Sequence, residues 1–565
     1  MIPAYAERSI DHRRPLKVIV MGAGISGIIA NIRFPRLIPN LEIVTYEKNP
    51  EIGGTWFENR YPGVACAHSY QLTFEPNPNW KEFYAKGEDI LAYWKEIVRK
   101  YDLYKKIQLN SKVIHARYDE TSCKWNVKVE NILTGEILED LADVFYACPG
   151  ALNHWEWPDI TGLHDFQGNL THSADWNENW DATDKTVAVI GAGSSATQIL
   201  PAIQGKVKNL FNFIRGEIWI APPFASTEVE RHQAEINFTF SDEEIEAFQE
   251  PKVLYEYRKA IENELQSFHQ VTHQGEASKV AQGHFQKNME NKLHSRADIL
   301  EKILPSFPPG CRRLTPGPGY LKSLTQPNVR LVKGDISHVS LEGVHLKDGS
   351  FYKVDTIICA TGFVTNWIPR FPIIGRSGVS LQEKWAEYPN SYLSVATDGF
   401  PNMFISHGPN SAISTGNLVI VLEQVAEYVG TAIAKMQRDA VKSIEVKESA
   451  VKIFSDYCTS YFPTTVFAGN CRSWYKTGSQ DGRISALWPG SSLHAMEALS
   501  HPRWEDYDYQ YLDNNPLSWL GDGWTEVGRT EGSNRSFYLD DERISRLVNK
   551  PYYNGVSGAS NGMAL

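Results

Sequence analysis

The sequence predicts an α/β protein with two Rossmann-like nucleotide units, the second carrying a helical insertion. Three observations predict it. Two short apolar strands, Val18–Met21 and Lys185–Ile190, each run straight into a glycine-rich turn and then a helical pattern. Each turn is followed by a second strand that ends in a charged residue, Glu47 in the first unit and Arg215 in the second. Residues 225–305 then abandon the strand–helix alternation for amphipathic helices. At 565 residues the chain can bury two or three such units without cross-links.

In the first unit, residues 1–150, the turn is Gly22-Ala23-Gly24-Ile25-Ser26-Gly27. The first glycine permits a tight bend, the second lets the backbone approach a pyrophosphate, and the third lets helix and strand pack closely. The helix then offers unpaired N–H groups and its positive dipole end to phosphates. Pro35 is expected to end this helix early. Glu47 follows Gly27 by 20 residues. A carboxylate there accepts from a ribose 2′-hydroxyl and repels a 2′-phosphate, so this site prefers FAD or NAD over NADP. The paired glycines of Gly53-Gly54-Thr55-Trp56 let the backbone lie against a ligand, which makes Gly54, Thr55 and Trp56 binding candidates. Taken alone, Trp56 and Tyr61 read as core. Gln71–Tyr84 reads as a strand, a turn and a helix start, Lys112–Val129 as a hairpin, and Val144–Gly150 as another buried strand.

Residues 151–184 form a linker holding Phe166–Trp176, by itself a polar connector with aromatic ends. The second unit, residues 185–360, opens on Gly191-Ala192-Gly193-Ser194-Ser195-Ala196, with Ala196 in place of the third glycine. Arg215 stands 19 residues after Ala196, where the first unit has its acid. A guanidinium pairs bidentately with a phosphate, so this site is expected to take NADPH. Within the insertion, Ser241 and Glu244 make a capping box, and Leu254, Tyr257, Ile261, Leu265 and Phe268 form one apolar helix face. Arg312-Arg313 sits in a Pro/Gly-rich turn and on its own reads as a solvated pair; Asp355–Phe363 leaves through Ala-Thr-Gly toward the first unit. Residues 361–565 complete that unit. Asn417–Met436 is a long apolar helix with its start near a flavin ring, and Asn470–Lys476 is an aromatic and basic loop. The tail from Pro502 is a structural wrap, frayed over 554–565.

The net charge of −11 argues against a nucleic-acid partner. Seven scattered cysteines, none spaced as CxxC, disfavour a disulfide framework, a zinc site and a dithiol redox centre. No apolar run reaches the roughly 18 residues of a membrane span. The N-terminal stretch has no secretion-type apolar core, so a cytoplasmic location is expected.

Two dinucleotide units in this order resemble the two-dinucleotide flavoprotein oxidoreductases. Phe166-x-Gly168-x-x-x-His172-x-x-x-Trp176 is similar to the fingerprint of the type I Baeyer–Villiger monooxygenases and lies, as in that family, between the units. Gly54-x-Trp56-x-x-x-x-Tyr61-Pro62-Gly63 is similar to the second fingerprint. The resemblance implies that NADPH reduces FAD, that O₂ adds at flavin C4a, and that the resulting peroxide attacks a small-molecule ketone to give an ester or lactone. It implies Arg313 as the catalytic cation, Arg312 near the 2′-phosphate and Trp474 over NADP⁺. His172 is implied as a tie in the linker rather than a base. One departure stands out. After Pro-Gly the family reaches an aspartate that holds the catalytic arginine; Val64-Ala65-Cys66-Ala67 reads as if about three residues, the aspartate included, were missing. Either Arg313 lies differently, or another acid such as Glu58 substitutes. Oxygenation at nitrogen or sulfur, hydroxylation, and uncoupled NADPH oxidation are the competing activities.

Overall fold

A computed structural model describes residues 6–67, 70–235, 237–317 and 319–539. It has the expected α/β architecture, with two five-stranded parallel sheets. The first runs in the order Met403–Ile405, Val144–Ala147, Leu16–Met21, Leu41–Tyr46, Ile107–Gln108. The second runs Asn169–His172, Thr356–Cys359, Thr186–Ile190, Asn209–Ile214, Val329–Lys333. In each the glycine-turn strand is central, with Val18 opposite Ile43 and Val144 in the first, and Val187 opposite Leu210 and Thr356 in the second. Covered on both faces, these strands need the continuous apolar runs the sequence has. The connector is itself part of the second sheet: Asn169–His172 is its edge strand.

Several local readings change. The helix Ile25–Leu37 continues past Pro35. Proline this late removes only one carbonyl's partner in the final turn, and packing against Leu418–Arg438 holds the helix. A Cβ on Gly430 would stand 2.6 Å from Leu37 Cδ1, so the two helices meet almost backbone to side chain. Gln71–Trp80 is irregular rather than a strand, as Pro76 and Pro78 favour; Ala65–Ala67 pairs with Tyr84–Lys86, and the helix starts at Gly87. Ser111–Asp119 and Lys124–Asn131 form the hairpin. Tyr507–Tyr511 in the tail pairs with Val441–Val446, and 554–565 lie outside the described residues.

The insertion is divided between two cores. The Ser241–Glu244 capping box opens the helix Asp242–Phe248. Leu254 and Ile261, on the helix Pro251–Ser267, join the core of the first sheet. Met289, Leu293 and Ile303 join that of the second. Arg258 donates to Leu72 O at 3.1 Å, and Glu262 accepts from Asn417 Nδ2 at 2.9 Å, so polar contacts also fasten this helix to the first unit. No helix among the described residues is long and apolar enough to cross a membrane.

Candidate active site

Both glycine turns, the Arg312-Arg313 turn and the 470–479 loop line one cavity of about 2880 Å³. That is several times the roughly 300–1,000 Å³ of an ordinary small-ligand pocket, and suits two dinucleotides with a substrate.

The first groove is built by close backbone approach. A Cβ on Gly27 would collide with the Gly22 carbonyl oxygen, and one on Gly54 would stand 3.0 Å from Gly24 Cα. The helix that starts at Ile25 has neither a side-chain cap nor an acid in its first turn, so its N–H groups face the cavity free. Glu47 is 3% exposed and accepts from Ala23 N at 2.7 Å and Asn49 N at 2.8 Å. Burial raises its carboxyl above the ordinary glutamate value, against these two hydrogen bonds. Thr55 opens the short helix Thr55–Glu58, and the buried Trp56 Nε1 has no partner. An open helix terminus, a ribose-height carboxylate and an orphaned indole N–H fit an FAD pyrophosphate and ribose.

The second groove repeats the design with the opposite charge. Gly191 has φ 127°, and a Cβ there would collide with the Ala360 carbonyl oxygen; beyond Gly193 there is open space. The helix Ser194–Gln204 begins with no cap and no acid. Ser194 Oγ meets Thr315 Oγ1 at 2.7 Å, Ser195 faces Tyr61, and Ala196 is fully buried against the sheet. Three cations converge at the end of the Asn209–Ile214 strand. Arg312 lies close enough to Arg215 and Arg472 to be affected by both, and its pKa is lowered by burial first and these two charges second, against the pull of Glu217. Arg312 donates Nη1 to Glu217 O at 3.0 Å and lies over the Phe307 ring, while its buried Nε has no partner. Mutually repelling guanidinium groups with an unused donor fit a 2′-phosphate dianion.

Arg313 lines the same cavity as both grooves. It donates to Ile413 O at 3.3 Å and acts electrostatically on Cys66, Tyr70 and Tyr475. Burial pushes the Cys66 thiol and the Tyr475 phenol up, and Arg313 pulls both back. No carboxylate lies within 4.0 Å of Arg313 among the described residues. Glu58 does not substitute for the missing aspartate: it is taken by Lys48 at 2.8 Å, Asn49 at 3.0 Å and Asn153 at 2.7 Å. Trp474 packs on Tyr475 with ring centroids 4.7 Å apart, at the cavity wall.

His172 is fully buried and stacked on Trp155 at 4.5 Å. Its Nδ1 accepts from Ala174 N at 3.1 Å, which leaves Nε2–H to donate to Thr361 Oγ1 at 3.2 Å. Burial lowers its pKa to about 4, so it is a neutral tie between the linker and the Ala360-Thr361-Gly362 crossing. The cysteine reading needs correction: Cys311 and Cys471, 160 residues apart, are joined in a disulfide, with Cα atoms 6.3 Å apart. Fold-level proximity made the pair, and spacing along the chain carries no trace of it. Sequence reasoning also passed over Arg472 and Thr315 as individuals; the basic loop and the Thr-Pro-Gly turn were the signals available.

Two glycine-cradled helix ends on one cavity, one beside an acid and one beside a cation cluster, define a two-dinucleotide flavoprotein scaffold. Residues 15–223 match the FMO-like, flavin-binding monooxygenase-like family model. The FAD-binding monooxygenase tazF of Aspergillus terreus is 35% identical over 535 residues, covering 93% of this chain and 95% of that protein. A Baeyer–Villiger monooxygenase of Pseudomonas aeruginosa is 30% identical over 518 residues, covering 90% and 93%. The cyclohexanone monooxygenase of Rhodococcus sp. Phi1, solved with NADP⁺ bound, superposes with a TM-score of 0.75 at 24% identity, covering 88% of this chain and 100% of that one, and shares the fold. The chain belongs to the flavin-binding monooxygenase-like family, in agreement with the resemblance drawn from its fingerprints.

Proposed function

We propose that this protein is an FAD- and NADPH-dependent Baeyer–Villiger monooxygenase that converts a ketone and O₂ to an ester or lactone. The observation that carries the reading is the convergence on one cavity of an acid-marked and an arginine-marked dinucleotide groove together with Arg313. The N–H groups at Gly24–Ser26 hold the FAD pyrophosphate and Glu47 its ribose. Gly193, Ser194 and Ser195 hold the NADPH pyrophosphate, and Arg215, Arg312 and Arg472 its 2′-phosphate. Bound FAD supplies hydride acceptance and oxygen activation. Trp474 covers the nicotinamide side and excludes water. Arg313 orients the ketone and stabilises the negative charge that develops on its carbonyl oxygen, where a fixed cation in a dry site is most effective. His172, neutral and tied at both ring nitrogens, moves no proton and couples the linker to the Thr361 crossing. A cytoplasmic location is part of the same proposal.

One observation favours a second reading, uncoupled NADPH oxidation: Arg313 has no carboxylate neighbour among the described residues. A single experiment separates the two. The FAD-loaded enzyme is given NADPH, O₂ and a panel of cyclic, aromatic, steroid-like and polyketide ketones, with amines and sulfides as controls, and product and hydrogen peroxide are both quantified. Ester or lactone in proportion to NADPH supports the proposal. Peroxide equal to NADPH with every ketone overturns it, and N- or S-oxides alone move the activity to the competing oxygenations.

A further inference from the structure

The turn that carries Arg313 and the loop that carries Trp474 belong to distant parts of the chain, yet the structure joins them covalently. Cys311 lies two residues before Arg313, and Cys471 three before Trp474. Both cysteines are buried, at 0% and 2% exposure. On the loop side, Lys476 is buried and donates Nζ to Gly469 O at 2.7 Å, Cys471 O at 3.2 Å and Gln480 O at 2.8 Å, so the loop is wound around its own ammonium. Those bonds organise the loop internally and do not attach it to the Arg312-Arg313 turn. Beside the disulfide, the turn meets the loop by packing, with Pro308 against Gly469 and Gly310 against Val466, and by the electrostatic pull of Arg313 on Tyr475. The other five cysteines are free thiols.

We propose that the Cys311–Cys471 bond is a strap that positions Arg312, Arg313 and the Trp474 loop as one unit, so that breaking it loosens the nicotinamide pocket. Cys311 and Cys471 are thus positioning residues. The inference rests on the proposed placement of NADPH, but the strap is tested independently of oxygenation. With the strap closed, the loop is ordered before the cofactor arrives. With it open, binding must immobilise several side chains of the loop, which weakens it. Disulfides are uncommon in the cytoplasm, and those found there tend to respond to redox state. The oxidant required is of a class this site itself produces when uncoupled. Two thiols give up two electrons and two protons to hydrogen peroxide, forming one S–S bond and two waters. A dithiol reductant reverses the change by exchange and ends as its own disulfide.

The test uses the FAD-loaded full chain before and after treatment with dithiothreitol under argon. Iodoacetamide labelling in denaturant, read by intact mass, should add five groups before reduction and seven after. Trypsin should cut after the exposed Arg472 markedly faster in the reduced enzyme. The Kd for NADP⁺, from anaerobic titration of the flavin spectrum, should rise about tenfold, as should KM for NADPH, with the rate of flavin reduction at saturation changed less than about twofold. Cys471→Ala should behave as the reduced enzyme does and ignore dithiothreitol. Seven groups added without reduction would overturn the proposal. So would unchanged cleavage and NADP⁺ affinity once the shift from five to seven shows the bond broken. If NADP⁺ binds neither form, the functional reading fails instead, and thiol count and cleavage still decide the strap.

Discussion

Replacing Arg215 by alanine separates the 2′-phosphate from the rest of the nicotinamide cofactor. Arg215 is exposed at the strand end, so its removal leaves the fold intact, unlike removal of Arg312, which lies over Phe307 and donates to Glu217. A charge-assisted hydrogen bond contributes about 1.5–3 kcal/mol. Two effects reduce that here: solvent screens an exposed cation, and Arg312 is relieved of a repelling neighbour when Arg215 goes. About 1.5–2 kcal/mol remains, or roughly 10- to 30-fold. The assay is the anaerobic reduction of bound flavin, followed by stopped flow with NADPH and with NADH. The second-order rate constant should fall about 10- to 30-fold for NADPH and less than about twofold for NADH, which has no phosphate to lose. The NADPH/NADH ratio of the unmodified enzyme should itself decline below about pH 6, where a phosphate monoester takes up its second proton. Equal losses for both cofactors, or none, would refute the placement of the 2′-phosphate among Arg215, Arg312 and Arg472.

Other consequences are as direct. Gly27→Ala drives a methyl group into the Gly22 carbonyl, so the purified protein should carry little FAD by absorbance and melt earlier than the parent. Arg313→Ala should reduce ester formation about 10²- to 10³-fold while NADPH oxidation persists and peroxide appears in its place, read by chromatography and a peroxide assay; retained ester formation would remove Arg313 from the chemistry. His172 has a folded pKa of about 4, below the ordinary 6.5, so the unfolded chain takes up a proton first as pH falls. Its contribution to stability is therefore intact above about pH 6.5 and lost progressively toward pH 4, and His172→Gln should flatten that part of the urea-midpoint profile.

Local patterns carried much of this molecule. The strand–turn–helix units and the charges at Glu47 and Arg215 were legible because each is set within some 30 residues, where period and spacing act directly. Pro35 misled because a single breaker was weighed without the helix Leu418–Arg438 that packs on it. Gln71–Tyr84 misled because its prolines exclude a strand that its apolar residues suggested. The role of the connector as a sheet edge depends on Thr356–Cys359, nearly 190 residues away. The Cys311–Cys471 bond and the arrival of Arg472 beside Arg312 depend on a similar closure. No period along the chain encodes either. Arg313 was legible only through family likeness, since an Arg-Arg pair in a turn is ordinary until the fold brings Tyr475 and Ile413 against it.

The insertion, with helices rooted in both cores, has a mechanical consequence. Leu254 and Ile261 anchor Pro251–Ser267 to the first sheet, while Met289 on Glu276–Lys292 anchors to the second. Between them lies the short span Phe268–Gly275, pinned to the C-terminal region where Gln274 N donates to Thr464 O at 3.0 Å. Any swing of one sheet relative to the other must twist this span, and Phe268, Val271 and Thr272 within it face the cavity. The span is placed as a torsion bar would be: a rotation of one sheet against the other would be felt at the wall of the reaction chamber.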